Sequence, residues 1–139
     1  MAFILALLLM YPCHQDMAIS PGKRILCVED DRVVLRALVL SLEACHFEVV
    51  SAVHGGYALD EFHSYAGKFD AILTDHDMPQ VNGLALVEYL RAFDFKGRIW
   101  VMSGQLTPSD RQAYRNFGVS GFLQKPFDLD LLIELFLSQ

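Results

Sequence analysis

The sequence predicts an α/β fold, a doubly wound five-stranded parallel sheet flanked by five helices. From Lys23 onward, five short apolar runs alternate with five longer segments in which apolar residues recur at helical spacing. The first, third and fourth runs are apolar almost throughout, which is typical of parallel strands buried on both faces. This alternation implies right-handed crossovers and helices on both faces of the sheet.

The first half of the pattern contains three predicted strands and two predicted helices. The runs RILCVE, FEVVS and FDAILT predict strands over residues 24–29, 47–51 and 69–74. Between the first two strands, apolar side chains recur three and four residues apart over 34–45, as they do in an amphipathic helix. A second helix is predicted over 56–65, with aromatic and leucine side chains as its apolar contacts.

The third predicted helix and the fourth strand follow a turn. Asn82 is a typical N-cap for a helix over 83–93, because its side chain can accept a hydrogen bond from a backbone N–H of the first turn. The run RIWVM then predicts a strand over 98–102.

Capping signals also delimit the last two helices. Residues 107–110 combine a threonine N-cap, a proline at the first helical position and an aspartate three residues after the cap. Gly118 is a candidate for a left-handed residue at the end of that helix. A fifth strand is predicted over 119–124, and Asp128 can cap a final helix that runs to the C-terminus.

Length and composition favour one folded domain. The chain has 139 residues, of which 53% are hydrophobic and 20% charged, and this balance argues against disorder. We assign residues 23–139 to this domain. The formal net charge is −6, and Lys23-Arg24 is the only adjacent basic pair, so we expect no direct binding to nucleic acid. Because the chain ends with the fifth helix, we expect no attached output domain.

Residues 1–22 are predicted to be an apolar N-terminal extension outside the fold. Residues 2–12 are almost wholly apolar, but no Lys or Arg precedes them, and the run is shorter than the ~20 residues that span a bilayer. An early start codon upstream of Met17 would explain the segment, while a packed helix or a membrane contact is the alternative. We expect no stable membrane insertion.

The three cysteines favour a reducing, cytoplasmic environment. Cys13, Cys27 and Cys45 are few and widely spaced, which fits neither a disulfide framework nor a zinc site. Cys27 lies within an apolar run and is predicted to be a small buried hydrophobic residue.

Polar residues follow four of the predicted strands. They are Glu29-Asp30-Asp31, Asp75, Ser103 and Lys125. In a doubly wound parallel sheet these ends share one edge, where ligands bind. Converging carboxylates repel one another unless they bind a cation or take up protons, and all-oxygen ligation suits Mg²⁺, with Mn²⁺ as an alternative. Carboxylate, metal ion, hydroxyl and ammonium together suit phosphoryl transfer to an aspartate.

These residues lie in four motifs that resemble the response-regulator receiver domain, of the stand-alone, chemotaxis-regulator-like type. The motifs are ILCVEDD at 25–31, LTDHDMP at 73–79 followed by Asn82-Gly83, VMSG at 101–104, and GFLQKPF at 121–127. The match covers residues 23–139 with the family's order and similar spacing. It implies the flavodoxin-like receiver fold.

The resemblance implies a phosphorylation site and a metal site. Asp75 corresponds to the phosphoacceptor of the family. Glu29 and Asp30 correspond to its acidic metal-binding pair, which would bind Mg²⁺ together with Asp75 and the backbone carbonyl of Asp77.

The resemblance also implies a switch. Ser103 corresponds to the hydroxyl residue that turns onto the phosphoryl group, and Lys125 to the lysine that contacts it, with a cis bond between Lys125 and Pro126. Phe122 corresponds to an aromatic residue whose rotamer follows the switch. The family also uses Tyr there, and Phe lacks the hydroxyl, which puts polar recognition through this ring in doubt.

Two neighbouring residues keep alternative interpretations. Asp31 is expected to cap the following helix, and metal ligation is its second interpretation. His76 follows the phosphoacceptor and is expected to be an exposed side chain that tunes access to Asp75, with a catalytic role as the alternative.

The favoured function is a signalling relay. The resemblance implies that a sensor histidine kinase or a histidine phosphotransfer protein donates the phosphoryl group to Asp75. The output would then be an unidentified effector protein, with homodimerisation on phosphorylation as a further outcome. The chain would not be an enzyme beyond slow Mg²⁺-dependent self-phosphorylation from small donors and self-dephosphorylation.

Three other functions remain open from the sequence. One is an interaction module of the same fold that is never phosphorylated. Another is a small metal-dependent phosphohydrolase with Asp75 as nucleophile and Asp77 as general acid, although so short a chain offers no substrate pocket. The third is a flavodoxin-like cofactor carrier, which would need a phosphate-binding loop in place of the acidic residues after the first strand.

Overall fold

The computed structural model describes residues 22–137 and places five strands and five helices in them. The strands are β1 (Arg24–Val28), β2 (Glu48–Ala52), β3 (Ala71–Asp75), β4 (Arg98–Ser103) and β5 (Gly121–Gln124). The helices are α1 (Arg32–Ala44), α2 (Gly55–Ser64), α3 (Gly83–Ala92), α4 (Pro108–Asn116) and α5 (Leu129–Leu137). The predicted α/β fold is therefore confirmed, and apart from Gly22 the predicted extension over residues 1–22 lies outside the described residues.

The five strands form one parallel sheet in the order β2-β1-β3-β4-β5. Strand order changes direction between β1 and β3, which makes their carboxyl ends the topological switch point where ligands bind in this architecture. Val28 of β1 pairs with Thr74 of β3, and Asp75 pairs with Met102 of β4. The segment after β1 and the end of β3 thus lie side by side.

The helices cover both faces of the sheet and bury two apolar clusters. One face packs against α1 and α5, and the other against α2, α3 and α4. Alternate residues of β1 face opposite clusters, Ile25 and Cys27 towards the first and Leu26 and Val28 towards the second. Burial on both faces explains the continuous apolar run of this strand.

The predicted N-caps are confirmed. Asp31 Oδ1 accepts hydrogen bonds from the backbone N–H groups of Val33 and Val34. The side chains of Asn82 and Thr107 cap α3 and α4 in the same way. Each bond satisfies a backbone donor that lacks a partner within the helix.

Four helices are followed by a residue in the left-handed region, and only one of these residues is glycine. Gly118 has a φ of +70°, as predicted, while His46, Ala66 and Asp94 have values of 68°, 53° and 64°. In each case the next residue donates its N–H back to a carbonyl in the last turn of the helix, as Phe47 does to Leu42.

Arg91, at the end of α3, binds four backbone carbonyl oxygens. Its guanidinium donates to Phe117 and Gly118 beyond α4 at 2.8 and 3.0 Å, and to Phe95 and Gly97 before β4 at 2.6 and 3.0 Å. Burial lowers the pKa of Arg91 from its ordinary value. This one side chain ties together two segments that connect α3 and α4 to the sheet.

Two of the three cysteines lie among the described residues. Cys27 is buried and free, as predicted, and burial raises the pKa of its thiol to about 12. Cys45 is also buried, and Cys13 lies outside the described residues. Within residues 22–137, the helices are too short or too polar to cross a membrane.

Candidate functional site

Glu29 lies directly after β1 and is only 1% exposed. Its backbone N–H donates to Ala52 O at 3.1 Å, which holds the residue beside the end of β2. Oε1 accepts the Asp31 N–H at 3.1 Å, and Oε2 accepts a hydrogen bond from Lys125 Nζ at 2.6 Å. Each oxygen of the buried carboxylate thus accepts one hydrogen bond, which offsets part of the cost of burying its charge.

Asp75 is the last residue of β3 and is 3% exposed. Its Oδ1 lies 3.3 Å from Lys125 Nζ and 3.4 Å from the Asp77 N–H nitrogen. Burial raises the pKa of Asp75 to about 7, the negative charge of Glu29 adds to this, and the positive charge of Lys125 opposes it. The buried aspartate therefore depends on nearby positive charge to stay ionised.

Lys125 follows β5 and bridges the two buried carboxylates. Burial by itself lowers the pKa of Lys125, but the hydrogen bond to Glu29 and the charges of Asp75 and Glu29 outweigh it, so the net pKa lies above its ordinary value. The Lys125 N–H donates to Ser103 O at 2.8 Å, and the Lys125–Pro126 bond is cis, as the resemblance implies.

Three carboxylates converge at the switch point. One oxygen from each of Glu29, Asp30 and Asp75 lies within 4.8 Å of the others. Asp30 is exposed, so this side of the cluster opens to solvent. A set of carboxylate oxygens with an open side fits a hard divalent cation that keeps bound waters.

Asp31 and Asp77 lie near this cluster in the chain, but their carboxylates are not part of it. Asp31 uses its Oδ1 to cap α1, which agrees with the favoured interpretation. Asp77 is exposed on the loop after β3. The participation of its backbone carbonyl in metal binding stays a prediction.

Ser103 ends β4 and is 4% exposed. Its hydroxyl donates to Gln105 O at 3.0 Å and accepts the Gln105 N–H at 3.1 Å. The hydroxyl is therefore engaged with its own loop in this state. A donor held by two loop bonds can be redirected only if that loop rearranges.

Phe122, in the middle of β5, packs against two residues of α4. The ring of Tyr114 approaches it edge-on, with centroids 5.8 Å apart and planes at 72°, and the Arg111 guanidinium carbon lies 5.0 Å from its centroid. A cavity of about 210 Å³ adjoins the ring and reaches Ser103 and Gln105. The aromatic ring and the serine thus share one cavity.

His76 is not the exposed side chain that the sequence suggested. Its side chain is 13% exposed, and its Nδ1 lies 2.6 Å from the hydroxyl of Tyr114 on α4. The side chain is covered because α4 packs over the loop after β3, a contact that sequence spacing does not reveal. Tyr114 itself is fully buried and was missed as a residue of this site.

The geometry is that of an acidic pocket with a buried aspartate, a bridging lysine and a serine at the edge of a doubly wound sheet. A model of the response regulator receiver domain family matches residues 25–136. The chain belongs to this family.

Curated relatives agree with this assignment. The chain is 37% identical over 110 residues to the transcriptional regulatory protein PrrA of Mycobacterium tuberculosis, covering 79% of this chain and 46% of that protein. It is 30% identical to the cell cycle response regulator CtrA of Brucella ovis, covering 79% and 47%. The chain therefore spans about half the length of these curated relatives.

Solved structures give the same result. A response regulator receiver protein from Pseudomonas putida superposes with a TM-score of 0.78 at 28% identity, covering 87% of this chain and all of that one (100%). The Vibrio cholerae chemotaxis protein CheY4 gives 0.75 at 25% identity, covering 83% and 96%. The receiver domain of the hybrid histidine kinase CckA gives 0.69 at 32% identity, covering 81% and 94%.

Proposed function

We propose that this chain is a phosphoacceptor of a His–Asp phosphorelay and takes the phosphoryl group on Asp75. Receiver domains generally act as phosphoacceptors rather than as classical enzymes. The single observation that carries the proposal is the position of Lys125 Nζ, 3.3 Å from Asp75 Oδ1 and 2.6 Å from Glu29 Oε2. This arrangement places a fixed positive charge beside the one aspartate that ends a buried strand.

The chemistry is a single phosphoryl transfer. A carboxylate oxygen of Asp75 attacks the phosphorus of a phosphohistidine on the donor, forming a P–O bond while the P–N bond breaks. The electron pair leaves with the imidazole nitrogen, which takes a proton from solvent. Lys125 contacts an oxygen of the transferred group and offsets its charge, so that little reorganisation is needed as charge moves onto Asp75.

Glu29, Asp30 and Asp75, with the backbone carbonyl of Asp77, would hold Mg²⁺ or Mn²⁺. A bound divalent cation would neutralise the clustered carboxylates and the phosphoryl oxygens. Receiver domains bind Mg²⁺ at an acidic site of this kind.

The output step involves Ser103 and Phe122. The new phosphoryl oxygens offer the Ser103 hydroxyl a stronger acceptor than Gln105 O, since hydrogen bonds to charged acceptors are about twice as strong as neutral ones. Leaving Gln105 would free the loop beside the 210 Å³ cavity, so that Phe122 can repack. Such a switch works only through contacts that differ between the two states.

The partners follow from the family. Receiver domains interact with histidine kinases or phosphotransfer proteins, and the donor to this chain is proposed to be one of these. The repacked face near Phe122 would then bind an effector protein, and homodimerisation on phosphorylation is one form that this output can take.

Intact-mass measurement of the protein with acetyl phosphate, with and without Mg²⁺, tests the proposal. We expect a Mg²⁺-dependent gain of one phosphoryl group that is lost at alkaline pH and absent in Asp75→Asn. No gain in the wild-type protein, with acetyl phosphate or with phosphorylated histidine kinases as donors, would contradict the proposal.

Asp77→Asn is the matched control, because it makes the same chemical change two residues away and leaves the backbone carbonyl in place. We expect this variant to be phosphorylated like the wild type. Turnover of an added phosphomonoester that is lost in Asp77→Asn would instead support the phosphohydrolase, in which Asp77 is the general acid.

A further inference from the structure

The hydrogen bond between His76 and Tyr114 connects the phosphoacceptor to α4. His76 follows Asp75 directly in the chain, and its Nδ1 lies 2.6 Å from the Tyr114 hydroxyl oxygen. Both side chains are well covered, at 13% and 0% exposure. A short hydrogen bond between covered groups holds both rings in place more firmly than a surface contact would.

This bond can run in either direction, because a hydroxyl group and an imidazole nitrogen can each donate or accept a hydrogen. Burial raises the pKa of Tyr114 above its ordinary value, and the charges of Asp110, Asp77 and Asp75 add to this. The hydroxyl therefore keeps its proton, and whichever group donates, the bond holds the hydroxyl against His76 Nδ1. The other ring nitrogen, Nε2, lies 3.6 Å from Asp110 Oδ2. Two residues of α4 thus hold the imidazole from both nitrogens.

The same tyrosine also contacts the aromatic residue of the switch. The rings of Tyr114 and Phe122 meet edge-on at 5.8 Å, and Arg111 covers the Phe122 ring at 5.0 Å. Phe122 has no hydroxyl to form a hydrogen bond, and these two contacts join its ring to α4. Tyr114 therefore lies between the residue after the phosphoacceptor and the switch ring.

Close packing at Gly83 makes this arrangement rigid. A Cβ on Gly83 would lie 2.5 Å from Asp75 O, 2.7 Å from the Tyr114 hydroxyl and 2.9 Å from His76 Cα. The start of α3, the end of β3 and the tyrosine thus converge at a point without spare volume. In so dense a region, a shift of the backbone after Asp75 displaces the tyrosine hydroxyl as well.

We propose that Tyr114 is a positioning residue that transmits the phosphorylation state of Asp75 to Phe122 through His76. This route acts in parallel with the one through Ser103, and it rests on the proposed function. Phosphorylation adds charge and bulk to Asp75, the loop after β3 adjusts, and His76 moves with it. The Tyr114 hydroxyl follows its hydrogen-bond partner, and the ring carries the displacement to Phe122 and α4.

The test compares amide hydrogen exchange of the whole protein in Mg²⁺ with and without beryllium fluoride. Beryllium fluoride bound to an aspartate mimics the phosphoryl group. Tyr114→Phe removes only the hydroxyl, and His76→Phe replaces the imidazole by a somewhat larger ring that has no nitrogen. In both variants we expect the exchange response of α4 and β5 to fall by about fivefold, the factor that corresponds to a coupling energy of ~1 kcal/mol. The double variant should lose no more than either single one.

Tyr89→Phe is the matched control. Tyr89 lies on α3, and its hydroxyl oxygen is 3.2 Å from Nε2 of His63, so this substitution also removes a tyrosine hydroxyl beside a histidine. This variant should keep the full response. Exchange without beryllium fluoride reports whether each variant is folded, and intact mass after acetyl phosphate treatment reports phosphorylation of Asp75.

The possible results separate the two proposals. A full α4 response in both Tyr114→Phe and His76→Phe, with normal phosphorylation, would overturn the role of Tyr114 and leave the phosphoacceptor assignment intact. Additive losses in the double variant would overturn the route through His76. A wild-type protein that gains no phosphoryl group and shows no response would refute the proposed function, and the transmission role with it.

Discussion

The ammonium of Lys125 lies 2.6 Å from Oε2 of Glu29, although the two residues are 96 positions apart in the chain. Glu29 is 1% exposed, so this pair is shielded from water on the glutamate side. A buried carboxylate without a partner is strongly unfavourable, and the lysine offsets its charge and that of Asp75. A divalent cation binding to the same carboxylates would meet a positive charge already in place.

Removing the positive charge of Lys125 should strengthen metal binding and slow phosphorylation. In Lys125→Met the carboxylates lose their ammonium neighbour, so we expect Mg²⁺ to bind roughly tenfold more tightly, since ~1.4 kcal/mol of relieved repulsion is a factor of ten. Phosphorylation by acetyl phosphate should slow, because the transferred oxygens lose a contact. Calorimetric titration and the rate of mass gain measure the two effects.

Lys96→Met is the control for this prediction. Lys96 pairs with Asp94 at the surface and is 82% exposed, so its loss should leave both measurements unchanged. Weaker Mg²⁺ binding in Lys125→Met would show that the lysine supports the metal site instead of opposing it.

Asp75→Asn should stabilise the metal-free protein, and more so at high pH. The pKa of Asp75 is raised from 3.8 to about 7, so between these values the folded state holds a proton that the unfolded state has released. The contribution of Asp75 to the free energy of unfolding therefore falls as pH rises through this window, and it is lowest above pH 7. We expect Asn to raise the free energy of unfolding by on the order of 2 kcal/mol at pH 8 and by little near pH 4.

Urea denaturation in EDTA at the two pH values measures this difference. Adding Mg²⁺ should narrow the gap at pH 8, because the cation favours the ionised aspartate and binds the wild type better than the variant. An equal effect of the substitution at both pH values would contradict the raised pKa.

Gly83→Ala should destabilise the fold. Its Cβ would lie 2.5 Å from Asp75 O, so α3 must move away from the end of β3. Overpacking of this kind costs roughly 1–3 kcal/mol. Gly104→Ala is the control, since a Cβ there has no neighbour within 4 Å among the described residues. Urea midpoints measure both, and equal values for the two variants would contradict the packing at Gly83.

Arg91→Lys should also destabilise the protein, even though it keeps the charge. A lysine cannot reproduce the planar donor arrangement that reaches four carbonyl oxygens, and unsatisfied carbonyls and lost bonds together cost roughly 2 kcal/mol. The same substitution at Arg36, an exposed residue of α1, should change the free energy of unfolding by less than about 0.5 kcal/mol. Comparable losses at the two positions would argue against a structural role for the Arg91 bonds.

The sequence predicts the order and type of all ten elements because each leaves a local signal. Apolar runs mark the strands, and Asn82 and Thr107 mark helix starts through their own hydrogen bonds. Helix ends are harder to predict. Gly118 was predicted because glycine favours a positive φ, whereas Ala66 adopts one only because its neighbours hold it there.

The site divides in the same way. Glu29, Asp75 and Lys125 could be placed because each lies at the carboxyl end of a strand, and the carboxyl ends of parallel strands share one edge of the sheet. Tyr114 could not, because its role depends on how α4 packs over the loop after β3. In the sequence, Tyr114 is one apolar position of a predicted helix. The partner of its hydroxyl, His76, lies 38 residues earlier in the chain.

The strand order has a consequence for synthesis. The acids of the pocket emerge from the ribosome with β1 and β3, but the lysine that balances them comes after β5, at the far edge of the sheet. A nascent chain that stops short of β5 therefore carries clustered carboxylates without their counter-charge, and contacts of such long sequence separation form late in folding. We expect the acceptor pocket to be completed only once β5 has joined the sheet.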